Sequence, residues 1–385
     1  MTSLDSAHPL AAGLTAASRL VRSYQGEHQE VTPVWFMRQA GRSLPEYREL
    51  RVGMRMLDAC LDPAMASEIT LQPVRRHGVD AGIFFSDIVV PLKLAGVAVE
   101  IQPGKGPVFE RPVRTLDDVK RLEETDPASM DDATFAPIAE AVRLTTAELG
   151  ETPLIGFAGA PFTLAAYLVE GGPSKDHIRA RTLMHADPEA WSRLMAWTAD
   201  ISGAFLRAQV LAGASAAQLF DSWAGSLSLA DYTEHVAPAS ARALSHVRDL
   251  TYAVPVAPPH VPLQASVRQD GEPAVRNVPL VHFGVGTGDL LKAMHEVGAD
   301  AVGVDYRTPL DEASRRLGHV VPVQGNVDPA MLAAPWEVLA PHVETVLRRG
   351  LDAPAHVLNL GHGVPPETDP AVLTRVVELV HGWRP

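Results

Sequence analysis

Short runs of apolar residues recur along the chain and alternate with stretches that have helical periodicity. The helical pattern is clearest over residues 188–210, where Trp191, Leu194 and Ile201 fall on one face. Strands that alternate with helices predict a parallel sheet that is buried on both faces. Eight runs fit such strands, at residues 34–37, 81–85, 154–158, 217–220, 280–283, 301–304, 321–323 and 356–360. Eight βα units close a (β/α)8 TIM barrel, so we predict this α/β fold.

Three segments depart from this alternation, and we interpret them as additions to a single barrel domain that spans residues 1–385. Residues 11–24 predict a short helix, which would form an N-terminal helical extension. The pattern of residues 97–112 predicts a hairpin excursion after the second strand. Residues 255–279 are rich in proline and polar residues and contain an Asp-Gly pair, which is typical of a long exposed loop.

The composition narrows the class of protein. The formal net charge is −13, which argues against nonspecific nucleic-acid binding because that needs a basic face. Cys60 is the one cysteine, so no disulfide can form within the chain, and we expect a reducing compartment. No apolar run approaches the roughly 20 residues that span a bilayer, and the N-terminus lacks the features of a signal peptide. We therefore predict a soluble cytoplasmic protein with no membrane or nucleic-acid partner.

A locally basic stretch follows the first predicted strand. Residues 38–55 contain five arginines and two glutamates, which gives a local charge of +3 in an acidic chain. Arg38 and Arg42 leave the strand in a glycine-containing turn, and a planar guanidinium can pair with a carboxylate or phosphate through two hydrogen bonds. We interpret these two arginines as an anion clamp, with surface ion pairing as the alternative. Arg48 and Arg55 fall at helical spacing and fit a solvated face.

Polar residues also follow other predicted strands, at the end of the barrel where active sites lie. Asp87 follows the second strand and could act as a functional carboxylate or cap the next turn. Tyr167 lies in an apolar helix, which is also a common position for a core residue. Ser222 could equally be a helix N-cap. His362 stands between two glycines, a pattern that indicates close approach of the backbone to another group.

Several functional classes lack their motifs in this chain. The glycine-rich run at residues 284–289 lacks the last glycine of a dinucleotide-binding loop, and there is no Walker motif. A zinc site built on paired cysteines is impossible with one cysteine. No lysine ends a predicted strand, which disfavours Schiff-base chemistry. The residues alone therefore predict an anionic organic substrate that is handled without a metal or a covalent cofactor.

Six motifs along the chain resemble those of the uroporphyrinogen decarboxylase family. They occur in the family's order and cover nearly the whole chain, at residues 37–48, 85–88, 159–172, 220–225, 324–329 and 359–363. The resemblance implies a single (β/α)8 barrel, a homodimer with facing clefts and no cofactor. It also implies removal of carbon dioxide from the four acetate side chains of uroporphyrinogen III, which gives coproporphyrinogen III in haem and tetrapyrrole biosynthesis.

The resemblance further implies roles for individual residues, by their positions in these motifs. Asp87 would be the central carboxylate that accepts the pyrrole N–H groups, and Arg38 and Tyr167 would join it as catalytic residues. A carboxylate in an apolar cleft suits this reaction because it stabilises the cationic ring formed when a pyrrole carbon is protonated. The substrate-binding residues would be Arg38 and Arg42, the turn amides near Gln39 and Ala40, and Asp87, Tyr167, Ser222 and His362, with Arg51 a weaker candidate.

Two positions depart from the family pattern, and two other functions stay open. Ser43 stands where an aromatic residue is usual, and Trp223 stands where histidine is common. A zinc-dependent corrinoid or coenzyme M methyltransferase shares the fold, but that group uses a zinc-bound His and Cys constellation, and this chain lacks the cysteines. A noncatalytic tetrapyrrole carrier would keep the arginines and would not need Asp87.

Overall fold

Strands and helices alternate through most of the chain. The computed structural model describes residues 1–130, 132–254 and 274–385. Within them the strands are β1 (Thr2–Ser3), β2 (Gly82–Ile83), β3 (Val99–Gln102), β4 (Gly106–Phe109), β5 (Leu154–Gly159), β6 (Ala216–Asp221), β7 (Leu250–Ala253), β8 (Val275–Asn277), β9 (Leu280–Gly284), β10 (Ala301–Gly303), β11 (Val323–Val327) and β12 (His356–Leu360). The helices are α1 (Arg19–Tyr24), α2 (Pro45–Leu50), α3 (Met56–Leu61), α4 (Pro63–His77), α5 (Val90–Leu94), α6 (Leu116–Glu123), α7 (Ala136–Leu149), α8 (Pro161–Glu170), α9 (Ile178–Ala186), α10 (Pro188–Ala212), α11 (Leu229–His235), α12 (Ala237–Arg248), α13 (Leu291–Glu296), α14 (Leu310–Arg316), α15 (Trp336–Gly350) and α16 (Pro370–Gly382).

Seven strands form the central sheet, and their spatial order is their order along the chain. The sheet runs β2, β5, β6, β9, β10, β11 and β12, and every neighbouring pair is parallel. Helices connect consecutive strands, as parallel neighbours require. The strands are buried along their length, for example all six residues of β5 and all five of β12. This arrangement confirms the predicted α/β class and its barrel topology.

The segment around Val34 closes the sheet into a barrel. We predicted a full first strand at residues 34–37, but the structure has a single parallel bridge there, between Val34 and Leu358 of β12. The N–H of Leu358 donates to the Pro33 carbonyl at 2.8 Å. On the other side, the N–H of Asp80 donates to the Val34 carbonyl at 2.8 Å, just before β2 begins. This first predicted strand, which completes the eight of the barrel, is shorter than expected because the chain enters the turn at Arg38 directly after it.

Other elements differ from the sequence prediction in extent. The helix predicted over residues 11–24 begins only at Arg19, because Ser18 caps it by accepting the Val21 N–H at 3.3 Å. The long helix predicted over residues 188–210 is confirmed as α10, in which the Asp187 side chain accepts the Ala190 N–H at 3.0 Å. Within residues 97–112, β3 and β4 pair as an antiparallel hairpin.

A second, small sheet was not predicted. In it β7 pairs with β1 in parallel and with β8 in antiparallel orientation. The strand β8 lies within residues 255–279, so the prediction of a loop is wrong at residues 275–277, while residues 255–273 lie outside the described residues. Strands of two to four residues carry too little periodicity to be recognised in a sequence.

A chain of hydrogen bonds crosses the barrel interior and ties α1 to the strands. The Trp35 indole donates to the Tyr24 hydroxyl at 3.0 Å, and that hydroxyl donates to Gln324 Oε1 at 2.5 Å. Gln324 Nε2 then donates to Gln218 Oε1 of β6 at 3.1 Å. All four side chains are buried, where polar groups need partners, so this series of hydrogen bonds fixes α1 against β6 and β11.

In the part of the polypeptide that the structure describes, we find no helix with both the length and the apolar character to cross a bilayer.

Candidate active site

The turn that carries Arg38 is held from both sides. Gln39 Oε1 accepts the Phe36 N–H at 3.0 Å, and Gln39 Nε2 donates to the Ala81 carbonyl, beside β2, at 3.0 Å. On the β12 side, Asn359 Oδ1 accepts the Met37 N–H at 2.9 Å. The side chains of Gln39 and Asn359 are fully buried, so the turn cannot shift independently of the barrel wall.

Arg38 leaves this turn with a strained backbone and crosses the loop after β12. Its φ of 61° lies in the left-handed region, which residues other than glycine rarely adopt and which is often retained at functional sites. Its side chain passes directly over Gly363, where a Cβ would lie 2.5 Å from Arg38 Cδ. A Cβ on Gly361 would collide with the backbone of Tyr306. The glycines that flank His362 therefore serve close approach, as their pattern in the sequence indicated.

The guanidinium groups of Arg38 and Arg42 are free of protein partners. Both side chains are exposed, and neither makes a hydrogen bond or an ion pair within residues 1–130, 132–254 and 274–385. Nearby arginines behave differently, since Arg55 pairs with Asp58 at 2.8 Å and Arg76 with a glutamate at 2.7 Å. Surface ion pairing, the alternative for Arg38 and Arg42, is thus absent from the described structure, and both cations are available to an anionic ligand.

The two turn amides predicted to assist binding differ. The N–H of Gln39 already donates to the Phe36 carbonyl at 3.0 Å, and its side chain braces the turn. Gln39 therefore braces the turn, and its N–H is already engaged within it; its assignment to the substrate stays a prediction. The N–H of Ala40 has no acceptor among the described residues, and Ala40 lies between the two arginines in sequence.

Asp87 follows an apolar segment in which Phe84 and Phe85 are buried. Its Oδ1 accepts the Val89 N–H at 3.1 Å, so it does fix the turn into α5, as the capping alternative suggested. Its Oδ2 has no donor in the part of the chain that the structure describes and is left for a ligand. Burial raises the pKa of Asp87, while the Val89 N–H and the charge of Arg38 oppose that rise. The carboxylate therefore combines a local structural bond with a free oxygen in an apolar setting.

Tyr167 projects from α8 into a stack of rings and is only half-buried. Its ring stacks on Trp223 with centroids 3.8 Å apart and an interplanar angle of 25°, and the ring of His177 stacks on Trp223 at 4.2 Å. Burial raises the pKa of Tyr167 to about 12; the charge of Asp87 adds to the rise, and Arg38 opposes it. The phenol thus keeps its proton at neutral pH and can donate a hydrogen bond.

Sequence reasoning missed His177. This residue is 5% exposed, has a φ of 50°, and neither ring nitrogen has a hydrogen-bond partner. Burial lowers the pKa of His177, so its imidazole is neutral against the Trp223 ring. Trp223 was noticed as a departure from the family pattern, but nothing in the sequence indicates that the loop before α9 contacts the loop after β6.

Ser222 lies in the turn between β6 and Trp223. The Thr163 hydroxyl donates to Asp221 Oδ1 at 2.8 Å and accepts the Trp223 N–H at 3.3 Å, which holds this turn against α8. The short 3₁₀ helix Ala224–Ser226 has no side-chain cap, so Ser222 is not an N-cap. Its hydroxyl has no partner among the described residues and can serve a ligand.

His362 follows β12 and lies within electrostatic range of Arg38 and of a third arginine, Arg307. Partial burial lowers the pKa of His362, and the charges of Arg38 and Arg307 lower it further. Arg307 donates to Asp305 Oδ2 at 2.6 Å, and the same oxygen accepts the Gly286 N–H at 2.7 Å. Asp305 and Arg307 follow the sixth predicted strand, at residues 301–304. The carboxylate of Asp305 partly offsets the charge of Arg307, whereas Arg38 has no such partner among the described residues.

These side chains form one electrostatic group. The charge of Arg38 acts on the pKa of Asp87, Tyr167 and His362, and the charge of Asp87 acts on that of Tyr167. Ser222 is the sequence neighbour of Trp223, whose ring stacks on Tyr167. Free cations around a carboxylate at the mouth of an α/β barrel are typical of an enzyme that acts on an organic anion.

Comparison with known proteins identifies the family. The family model for uroporphyrinogen decarboxylase (URO-D) matches residues 15–383. The chain is 82% identical over 384 residues to a uroporphyrinogen decarboxylase from Leifsonia xyli, with 100% of the chain and 99% of the relative covered. It is 62% identical over 373 residues to one from Arthrobacter, with 97% and 99% covered. The chain belongs to the uroporphyrinogen decarboxylase family. The predicted class of enzyme, a decarboxylase of tetrapyrrole biosynthesis, is thereby confirmed.

A solved structure supports the fold and only the fold. A methyltransferase from Methanosarcina mazei superposes with a TM-score of 0.72, covering 94% of this chain and 97% of that one, at 17% identity. Identity that low carries no functional argument. Because the relatives at 82% and 62% identity are named uroporphyrinogen decarboxylase, the methyltransferase alternative is not favoured.

Proposed function

We propose that this chain decarboxylates the four acetate side chains of uroporphyrinogen III to give coproporphyrinogen III, and that Asp87 is its central catalytic carboxylate. The observation that carries the proposal is the free Oδ2 of Asp87, which stands in an apolar setting within electrostatic range of Arg38. Loss of carbon dioxide leaves an electron pair that needs an acceptor. Protonation of a pyrrole carbon makes the ring cationic, and that ring accepts the pair as the carbon–carbon bond breaks. Asp87 accepts the pyrrole N–H groups and stabilises the cation.

Arg38 and Arg42 hold the substrate's carboxylates. Support comes from two guanidinium groups without protein partners, next to the free Ala40 amide. A guanidinium binds a carboxylate bidentately, so the pair fixes the position of the substrate as well as its charge. Tyr167 donates a hydrogen bond as a neutral phenol, and Ser222 and His362 complete the lining of the cleft.

Incubation of the purified protein with uroporphyrinogen III under anaerobic conditions tests this proposal. We expect coproporphyrinogen III to accumulate, with unchanged turnover after treatment with a metal chelator. Substrate binding without product would support the tetrapyrrole carrier and would contradict the decarboxylase. Loss of turnover on chelation, restored by zinc, would contradict a reaction carried by Asp87 and the arginines alone.

The remaining family expectations concern assembly and location. We infer that the protein is a homodimer with facing clefts and that it lies in the cytoplasm. The support is its membership of the uroporphyrinogen decarboxylase family, with alignments that cover 99% of two relatives. Sedimentation equilibrium should give twice the chain mass of 41.3 kDa, and a monomer at micromolar concentration would contradict the dimer. Fractionation of the source cells should recover the protein in the cytosol.

Gly363→Ala tests whether the path of Arg38 matters. The added Cβ would lie 2.5 Å from Arg38 Cδ and 2.8 Å from Cγ, so the arginine must move while its charge is kept. We expect kcat/KM to fall about 10- to 100-fold, because misplacement by about 1 Å can cost that much. Gly382→Ala is the matched control, since its Cβ meets nothing within 4 Å. Equal activity of the two variants in steady-state assays would show that the position of Arg38 is unimportant.

A further inference from the structure

Outside the residues discussed so far, two histidines and one aspartate converge on the helical layer. His185 lies in the last turn of α9, and Asp231 and His235 lie on α11. One side-chain donor atom from each lies within 4.8 Å of the other two, and His185 Nε2 is 3.6 Å from Asp231 Oδ1. In a tetrahedral zinc site with bonds of about 2.0–2.1 Å, neighbouring ligand atoms are about 3.3 Å apart. Small rotations of the side chains would therefore close the cluster around an ion.

We propose that His185, Asp231 and His235 form a zinc site that links α9 to α11. Two imidazoles and one carboxylate suit zinc and related transition metals, whereas magnesium and calcium prefer oxygen ligands. Three protein ligands leave a fourth position for water. None of the three residues belongs to the proposed substrate site, so the ion would have a structural role and take no part in decarboxylation.

The two ligands on α11 are held in place before any ion binds. Asp231 and His235 are four residues apart, which puts them on the same face of the helix. The start of α11 is fixed by Ser228, whose Oγ accepts the Asp231 N–H at 3.1 Å. Its end is fixed by the Trp191 indole of α10, which donates to the His235 carbonyl at 3.1 Å. Their side chains are 24% and 23% exposed, while that of His185 is 57% exposed and free to swing inward.

The zinc site would link α9 and α11, which follow the loops that carry His177 and Trp223. His177 is the residue before α9, and Trp223 lies just before the turn that leads into α11. The rings of these two residues stack at 4.2 Å at one end of their segments. An ion at the other end of α9 would add a second tie between the same segments. Binding to the folded chain alone would raise its thermal stability.

Equilibrium dialysis of the tag-free protein against zinc chloride, with the bound metal measured by mass spectrometry, tests the site. We expect one zinc per chain, a rise in Tm at saturation, and a visible spectrum of tetrahedral cobalt when Co²⁺ is used instead. His185→Ala and His235→Ala should each weaken zinc binding at least about tenfold, because loss of even a supporting partner of a metal ligand typically costs about that much affinity.

Two further variants make the result decisive. Asp231→Asn keeps the shape of the side chain and should also weaken binding. His28→Ala removes an exposed histidine elsewhere and should leave binding unchanged. His185 is exposed on a helix surface, so its replacement tests the site even if His235→Ala does not fold. Absence of zinc binding by the wild type, or wild-type affinity in both the His185→Ala and the Asp231→Asn proteins, overturns the proposal.

Discussion

Asp87→Asn is expected to lower kcat about 10³-fold, because it removes the charge that we propose stabilises the cationic pyrrole and keeps the shape of the side chain. Removal of one preorganised electrostatic group from an active site commonly costs about 10²–10³ in rate. The asparagine Oδ1 can still accept the Val89 N–H, so the turn into α5 keeps its bond. Single-turnover measurements separate this loss of chemistry from any loss of substrate binding.

The same substitution is expected to stabilise the folded protein. Burial raises the pKa of Asp87 above its unfolded value, so the folded state binds the proton more tightly than the unfolded state. The resulting stability is present below the unfolded pKa and is lost as pH rises through the folded pKa, which leaves an ionised, costly carboxylate at neutral pH. Asn carries no such charge, so we expect a higher Tm for Asp87→Asn at pH 7.

A matched control distinguishes function from damage. Asp126 makes the same kind of local bond, because its Oδ1 accepts the Ala128 N–H at 2.9 Å. Its side chain is exposed, and it is far in sequence from the proposed substrate-binding residues. Asp126→Asn should retain full activity without a gain in Tm. Full activity in Asp87→Asn would refute its assigned role, and a lowered Tm together with lost activity would point to structural damage instead.

The pH profile gives a second view of Asp87. Because its pKa is raised, the wild-type rate should fall as pH drops through a value above the usual range of an aspartate. This acidic limb should disappear in Asp87→Asn, whose residual activity has no carboxylate to titrate. Persistence of the limb in that variant would assign it to another group.

Most of the barrel could be predicted because its strands are buried on both faces and are therefore apolar in sequence. The positions of Arg38, Asp87, Ser222 and His362 after strand ends followed from the same pattern. The first strand was overestimated because an apolar run shows burial and does not show pairing: Val34 pairs once, while Trp35 and Phe36 are buried without extending the sheet.

Details that depend on loop conformation could not be predicted. Whether a turn uses its own amides is decided by dihedral angles, so the sequence did not show that the Gln39 N–H donates to the Phe36 carbonyl. The ring stack of Tyr167, Trp223 and His177 joins segments that are distant in sequence. A periodic pattern reports which face is buried and contains no information on which loops meet.

Arg38→Gln is expected to lower kcat/KM about 10²–10³-fold, since loss of one partner from a hydrogen-bonded charge pair costs about 2–5 kcal/mol. Arg42→Gln should also weaken substrate binding, because both guanidinium groups are unpaired. The two variants should differ in their pH profiles. Arg38 lowers the pKa of Asp87, whereas Arg42 is not among the charges that act on it. Removing Arg38 should therefore move the acidic limb to higher pH, and removing Arg42 should leave it in place.

This contrast separates two ways in which an arginine can serve the site. An arginine that only attracts the anionic substrate changes KM and leaves the titration of the free enzyme unchanged. An arginine that also sets the charge state of the proposed catalytic carboxylate, Asp87, changes both KM and this titration. Arg48→Gln controls for general loss of positive charge, because Arg48 is exposed on α2 beside the same turn. If Arg38→Gln and Arg42→Gln shift the limb equally, Arg38 has no special relation to Asp87, and its strained position over Gly363 needs another explanation.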